Sequence, residues 1–351
     1  MRKKSITMTD VARRAGVSIS TVSRVVSGSV NVSDQLRKRV DAAIAEMEYQ
    51  PIRVGSRYSA TDDIAVLIPN VSSPFFHSLI QGIQSICFDK GHTLQVYSSG
   101  DDPEKEMIHA DELAERSDMK GVIFAGAWTW EHQEPIRKLE ATGMPICLIN
   151  RFAPDVKADL LEVEREQGTY DAAVHLLQLG HTRIGCITAI PNASTNPDHV
   201  TGFRRALEDH QIETDEDLII ETHLSAKGGY DAGLELLTRK HRPSAILART
   251  DRLAIGAMRA AWELRISIPE ELSIIGYDDE PDARFMRPAL TTIRQPQYEM
   301  GTRATNLLFE RIANPELLQR QVIVQPQLIV RETTMAPRTV TQPLEETATV
   351  Q

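Results

Sequence analysis

The sequence predicts a small all-α head followed by two doubly wound α/β lobes in series. Three observations carry this expectation. The first 50 residues hold three short amphipathic helical patterns and no strand pattern. From Asp63 onward, short apolar runs such as Ile64-Ala65-Val66-Leu67-Ile68 alternate with helical stretches, which implies parallel sheets with helices on both faces. That alternation restarts at Gly168 and runs through again, so a second lobe follows the first.

Within the head, Thr7 is an N-cap, with Asp10 placed to reach the free amides of the first turn. Val11, Ala12 and Ala15 give this helix an apolar face, and Gly16 suits the left-handed turn that ends it. Ser18 caps a second helix that buries Val22, Val25 and Val26 and presents Ile19, Ser20, Ser23 and Arg24 outward. Two helices about so tight a turn make a helix-turn-helix unit, whose second helix enters the DNA major groove. A helix N-terminus suits phosphate oxygens, Ser18 and Ser23 offer hydroxyls, and Arg24 can reach a guanine edge. Ser33 caps a third helix with an apolar stripe of Leu36, Val40, Ala43, Ile44 and Met47. On its charged run, Arg37, Lys38 and Arg39 read as a solvated face with some phosphate contact. Pro51 ends that helix, and residues 51–61 form a linker.

The first lobe reads as strands at Ile64–Ile68, Leu94–Tyr97, Gly121–Phe124 and Pro145–Ile149, with helices at Pro74–Lys90, Met107–Ser117 and Pro135–Thr142. In the second, strands fall at Arg183–Thr188, Leu218–Glu221, Ala245–Leu247 and Leu272–Gly276. Its helices fall at Tyr170–Leu179, Val200–His210, Gly229–Arg239 and Leu253–Leu264. A late helix at Gln295–Ile312 and a terminal strand at Val322–Val330 follow.

Charge is divided along the chain. Residues 1–60 carry eleven Lys/Arg against five Asp/Glu, a net +6, while the rest carries 28 against 44, a net −16. A basic head on an acidic body presents one end to a polyanion. The N-terminus lacks the apolar core of a signal peptide, and no apolar run is long enough to span a membrane, so a cytoplasmic protein is expected. Cys87, Cys147 and Cys186 fit no metal or redox spacing and read as buried thiols. Neither a glycine-rich phosphate loop, a Ser-His-Asp set nor a metal-spaced histidine pair stands out. The chain is read as no enzyme, with no cofactor and no metal.

The run TMTDVARRAGVSISTVSRVVSG, followed by VSDQLRKRVDAAIAEMEYQP, resembles the headpiece of the lactose-repressor (LacI/GalR) family. The resemblance covers nearly all of residues 5–335. It implies a headpiece at 1–50, a hinge at 51–61 and a two-lobed periplasmic-binding-protein-like domain at 62–335, with three crossovers between lobes. Lobe 1 would comprise about 62–163 and 294–325, and lobe 2 about 164–293 and 326–335. The implied function is a homodimeric repressor that binds a pseudo-palindromic operator under small-molecule control. DNA contact is expected at Thr7, Ser18, Ile19, Ser20, Thr21, Ser23 and Arg24. The family's hinge role falls on Arg53 and Tyr58. Here Ile52, Gly55 and Tyr58 replace the usual Asn, Ala and Leu, and Gly55 costs about 1 kcal/mol of helix propensity.

In open α/β sheets ligands bind beyond the carboxyl ends of the strands, so two facing lobes make a cleft lined by those ends. Ser73-Pro74-Phe75-Phe76 is similar to the Asn-Pro-Phe-Phe of sugar-binding relatives. Trp128 follows the third strand, and Asn150 and Arg151 follow the fourth. ARTDRLAIG resembles the family's (Asn/Thr)-Asp-x-x-Ala-x-Gly, which implies that Thr250 faces ligand and Asp251 caps the next helix. The resemblance implies that Asp278 is a hydroxyl acceptor; Arg151, from the opposite lobe, is expected either to balance its charge or to hold an acidic ligand group, and Gln295 lies at the last crossover. His199 stands where sugar-responsive members have Arg, and Leu224 where the lactose repressor has a stacking Trp. The polar set favours a sugar or sugar derivative, since each hydroxyl needs a partner. Residues 336–351 carry no leucine heptad and read as a disordered tail, which predicts a dimer and no tetramer. Two rival readings are a partner protein in place of the sugar and a solute-binding protein of transport.

Overall fold

The computed structural model describes residues 8–26, 32–47, 63–126, 132–189 and 196–338. The chain divides into two compact units, residues 1–62 and 63–351. The hinge residues Arg53 and Tyr58, together with Thr7, Trp128 and residues 339–351 of the tail, lie outside the described residues.

The first unit is built from α1 (Met8–Ala15), α2 (Ile19–Val26) and α3 (Asp34–Glu46). Val11, Ala12 and Ala15 of α1, Val22 and Val25 of α2, and Val40 and Ala43 of α3 bury one shared core. Gly16 has φ +63°, the left-handed turn that lets α1 stop and the chain double back. Arg39 is not simply solvated: it donates to the carbonyls of Ala15 and Gly16 at 2.7 and 3.3 Å, satisfying the open end of α1. Ser18 Oγ accepts from the Thr21 amide at 3.1 Å and so caps α2, whereas Ser33 makes no capping bond to α3.

The second unit contains two six-stranded sheets. The first lobe holds β1 (Asp63–Ile68), β2 (Thr93–Ser98), β3 (Met119–Ala125), β4 (Ile146–Ile149), β5 (Asp159–Val163) and β11 (Gln321–Val324), in the order β11-β5-β4-β3-β1-β2. The second lobe holds β6 (Ile184–Ala189), β7 (Ile219–Thr222), β8 (Ala245–Ala248), β9 (Ser273–Asp278), β10 (Thr291–Arg294) and β12 (Gln327–Ile329), in the order β12-β10-β9-β8-β6-β7. Every pairing is parallel except β10 with β12, which is antiparallel. Helices α4 (Pro74–Asp89) and α11 (Gln297–Ala313) cover one face of the first sheet, and α5 (Pro103–Ala114) and α6 (Glu134–Ala141) the other. In the second lobe α9 (Ala226–Leu237) and α10 (Asp251–Glu263) lie opposite α7 (Arg165–Gln178) and α8 (Asn196–Asp209).

Three places depart from the sequence reading. β5 and β10 were not expected, and Val322–Val330 is two strands in two different sheets. Pro326 breaks that run, since proline cannot donate to a ladder and here sits at the step between sheets. The chain therefore crosses between lobes at Glu164, at Gln295-Pro296 and at Gln325-Pro326, three passes in all. The first and last of these passes are tied together: the Glu164 amide donates to Val324 O at 3.0 Å, and Gln325 Nε2 donates to the Glu164 carboxylate at 2.5 Å. Cys87, Cys147 and Cys186 are all buried and unbridged.

Candidate functional site

On α2, Ile19 is 50% exposed, and Ser20 and Arg24 are exposed beside it. The Ser18 hydroxyl lies 2.7 Å from Ser20 Oγ and 2.8 Å from Thr21 Oγ1, so three hydroxyls cluster at the start of the helix. With the free amides of the first turn, they make a polar, donor-rich end suited to phosphate oxygens. Side-chain placement of Ser23 lies outside the described residues.

A cavity of about 210 Å³ opens between the lobes of the second unit, at the carboxyl ends of the strands. From lobe 1 come Asn70, Ser73, Phe75 and Phe76 after β1, Asp101 after β2, and Asn150 after β4. From lobe 2 come His199 of α8, Leu224 after β7, Arg249, Thr250 and Arg252 after β8, and Tyr277, Asp278 and Glu280 at β9. Arg165 and Gln295 enter from two of the crossovers. Nine of the residues expected from sequence therefore share this cavity. Phe75 and Phe76 meet edge to face at 5.1 Å and form its apolar wall. Leu224, 45% exposed, is at its rim.

Arg151 is elsewhere. It is buried on the other face of the first sheet, 2.6 Å from the Glu106 carboxylate, donating to His132 O at 2.6 Å and lying over the Phe124 ring. The reason is local: Asn150, just past β4, has φ +53°, a left-handed turn that breaks the strand's alternation and redirects the chain. Asn150 faces the cleft, so Arg151 faces away and supplies no counter-charge to Asp278. Thr250 also takes the capping task expected of Asp251. Thr250 is the N-cap of α10, accepting from Leu253 N at 3.3 Å, while still lining the cavity. Asp251 is fully buried below it, accepting from Glu280 N at 2.7 Å and from the Thr292 hydroxyl at 2.5 Å.

The polar floor is interlocked. Gln295 Nε2 donates to Asp278 Oδ1 at 2.6 Å. Asn150 Oδ1 accepts from Val163 N at 3.0 Å and from Arg165 at 2.9 Å, and Arg165 also pairs with Asp198 at 3.0 Å. Burial raises the pKa of the Asp278 carboxyl well above its usual value, helped by Asp251 and Glu280 nearby, and burial also raises Glu280. Asp251 is pushed up to about 8, chiefly by burial. His199, held by Thr169 at 2.9 Å and stacked edge-on against Tyr277, is kept neutral by burial and by the charges of Arg249 and Arg165. Among the described residues, Arg165 Nε, Tyr277 Oη and Gln295 Oε1 are buried polar atoms without a protein partner, and all three residues line the cavity. Such atoms carry a desolvation cost that a bound polar molecule relieves.

Arg165, Arg249, Tyr277 and Glu280 were missed from sequence. Arg249 was findable, since it directly follows the apolar run of β8. Arg165 was not, because β5, whose end it follows, went unread.

A helix-turn-helix unit and a two-lobed α/β domain with a polar inter-lobe cavity define a DNA-binding regulator with a ligand domain. Residues 7–51 match the family of bacterial regulatory proteins, lacI family, and residues 173–334 match the periplasmic binding protein-like domain. The HTH-type transcriptional regulator DegA of Bacillus subtilis (strain 168) is 34% identical over 334 residues, covering 93% of this chain and 98% of DegA. The lac repressor dimer bound to operator and the anti-inducer ONPF superposes with a TM-score of 0.72 at 26% identity, over 95% of this chain and 100% of that one. A LacI family transcriptional regulator from Enterococcus faecium with bound ribose gives 0.71 at 29% identity, over 79% of this chain and 100% of that one. The chain belongs to the lacI family and is a DNA-binding transcriptional regulator.

Proposed function

We propose that this protein is a homodimeric transcriptional repressor, acting in the cytoplasm, whose grip on a pseudo-palindromic operator is set by a small polar, carbohydrate-like effector in the inter-lobe cleft. The observation that carries the reading is the set of unpartnered buried polar atoms at the cleft, in a chain whose residues 7–51 match the lacI family. The ribose-bound relative and the operator-bound lac repressor are what this arrangement resembles. Thr7, Ser18, Ile19, Ser20, Thr21, Ser23 and Arg24 face DNA in this reading, with Arg53 and Tyr58 in the hinge. Asp278 and Gln295 take hydroxyls, and the phenyl rings of Phe75 and Phe76 lie against the ligand's apolar face. An effector that binds one lobe arrangement better than another shifts the population, and by linkage it changes DNA affinity by the same factor that DNA changes effector affinity.

Selection from random duplexes should enrich a two-fold symmetric site. On it, Arg24→Ala should lose discrimination at one base pair, by roughly 1–3 kcal/mol for a bidentate contact. Equal losses on the selected and on random DNA would reduce Arg24 to a phosphate contact. Sugars and their derivatives are then titrated against the protein–operator complex. If none changes the affinity and a partner protein does, control by a co-regulator replaces this reading.

A further inference from the structure

We propose that Tyr277 is an effector-contacting residue that sets specificity: its buried hydroxyl, together with Gln295 Oε1 and Arg165 Nε, receives hydroxyl groups of the effector at the floor of the cleft. This deepens the effector reading above and rests on it.

Tyr277 lies near the end of β9 and is 1% exposed. Its ring belongs to the core of the second lobe, packed in one cluster with Phe203, Ile275 and Ile293 and set edge-on to His199 at 4.7 Å. Its hydroxyl does not fit that role. Oη has no protein partner, although buried phenols ordinarily find one. Burial raises its pKa above the usual tyrosine value, so the group stays O–H. Gly168 keeps space beside it: a Cβ there would come 2.8 Å from Tyr277 Oη, 2.8 Å from Pro326 Cγ and 3.2 Å from Ile293 Cγ2. Gly168 follows the first crossover, Ile293 precedes the second, and Pro326 belongs to the third. The hydroxyl therefore lies where the three passes come together.

Two more unpartnered atoms belong to residues lining the same cavity. Gln295, 5% exposed, commits Nε2 to Asp278 Oδ1 and keeps Oε1, which can only accept. Arg165 commits Nη1 to Asn150 and Nη2 to Asp198 and keeps Nε, which can only donate. The tyrosine hydroxyl can do both. A carboxylate brings no donor for Gln295, and an ammonium brings no acceptor for Arg165. An alcohol brings one donor and two lone pairs, so hydroxyls suit this floor better than either ion. A ligand hydroxyl on Tyr277 also sits at the bend between the lobes, so the contact that reads the ligand acts on the crossovers.

The test compares the full-length wild type with Tyr277→Phe, using D-ribose, D-glucose and D-galactose, each beside its monodeoxy derivatives, with affinities from calorimetry. In the wild type, removing one particular hydroxyl should weaken binding about tenfold. Tyr277→Phe should bind the parent sugar about tenfold less well and that deoxy derivative as well as wild type does, so the two ligands become equivalent. A packing role alone would not move that ratio. Without sugar, Tyr277→Phe should melt at the wild-type temperature or above it, because an unpartnered buried hydroxyl is removed and the ring is kept. If Tyr277→Phe discriminates parent from deoxy derivatives as the wild type does, or if it melts several degrees lower, the hydroxyl is structural; the assignment then fails and the effector reading stands. If none of the sugars binds the wild type, both fail.

Discussion

Asp251 and Asp278 are carboxyls 27 positions apart that meet beneath one cleft, and burial sets them different tasks. Asp278 faces the cavity with one oxygen held by Gln295. Asp251 lies deeper, tying the end of β9 to β10 through Glu280 N and Thr292. Its folded pKa, about 8, exceeds the unfolded value, so the folded protein holds a proton that the unfolded chain has lost. Stability from this group is full below about pH 4 and declines as pH rises toward 8, by at most about 1.4 kcal/mol per pH unit for one proton. Melting temperature should therefore fall between pH 5 and pH 8 in the wild type and fall less in Asp251→Asn. Parallel curves for the two proteins would remove Asp251 from the pH dependence.

At the scale of elements, close helix packing and one ion cluster hold the first lobe. A Cβ on Gly82 of α4 would lie 2.2 Å from Tyr298 O, and one on Gly301 of α11 would lie 2.2 Å from Leu79 O, so these helices touch through backbone. Below them, fully buried Asp159 of β5 receives Arg311 of α11 at 2.8 Å and Arg320, just before β11, at 2.8 Å. Burial alone would raise this carboxyl, but the two guanidiniums hold it below its usual value. Its contribution is present above about pH 4 and is lost as pH falls through the lowered folded value. Asp159→Asn should cost about 3–5 kcal/mol, because it leaves the buried Arg311 guanidinium uncompensated. A denaturant midpoint within error of wild type would show the cluster to be dispensable. This cluster also explains what sequence could and could not reveal. β1 and β8 are legible from unbroken apolar runs, whereas Asp159-Leu-Leu-Glu-Val has a carboxylate at its start whose partners lie more than 150 residues away. β10, Thr291–Arg294, is four residues of which two are threonine, too short and polar to announce burial. Looking just past each strand located most of the cleft, and it failed where a strand was unread, at Arg165, or where the turn reversed facing, at Arg151.

At the scale of the whole molecule, charge and connectivity matter more than any one contact. A +6 head and a −16 remainder confine attraction for a polyanion to the head, so operator affinity should fall steeply with salt as counterions are retained on the DNA. Light scattering at micromolar concentration should give about twice the 39.2 kDa chain mass, unchanged when residues 337–351 are deleted. A fourfold mass that the deletion abolishes would contradict the dimer. The three crossovers have a mechanical consequence. Two bodies joined by one strand of chain can swing, twist and slide independently. Joined by three flexures, two of them tied together, they keep one easy movement, a bend about the line of the flexures, while torsion and shear strain all three together. Opening and shutting of the cleft thus reduces to a single angular coordinate, so ligands of different shape can differ only in how far along that one track they drive the protein.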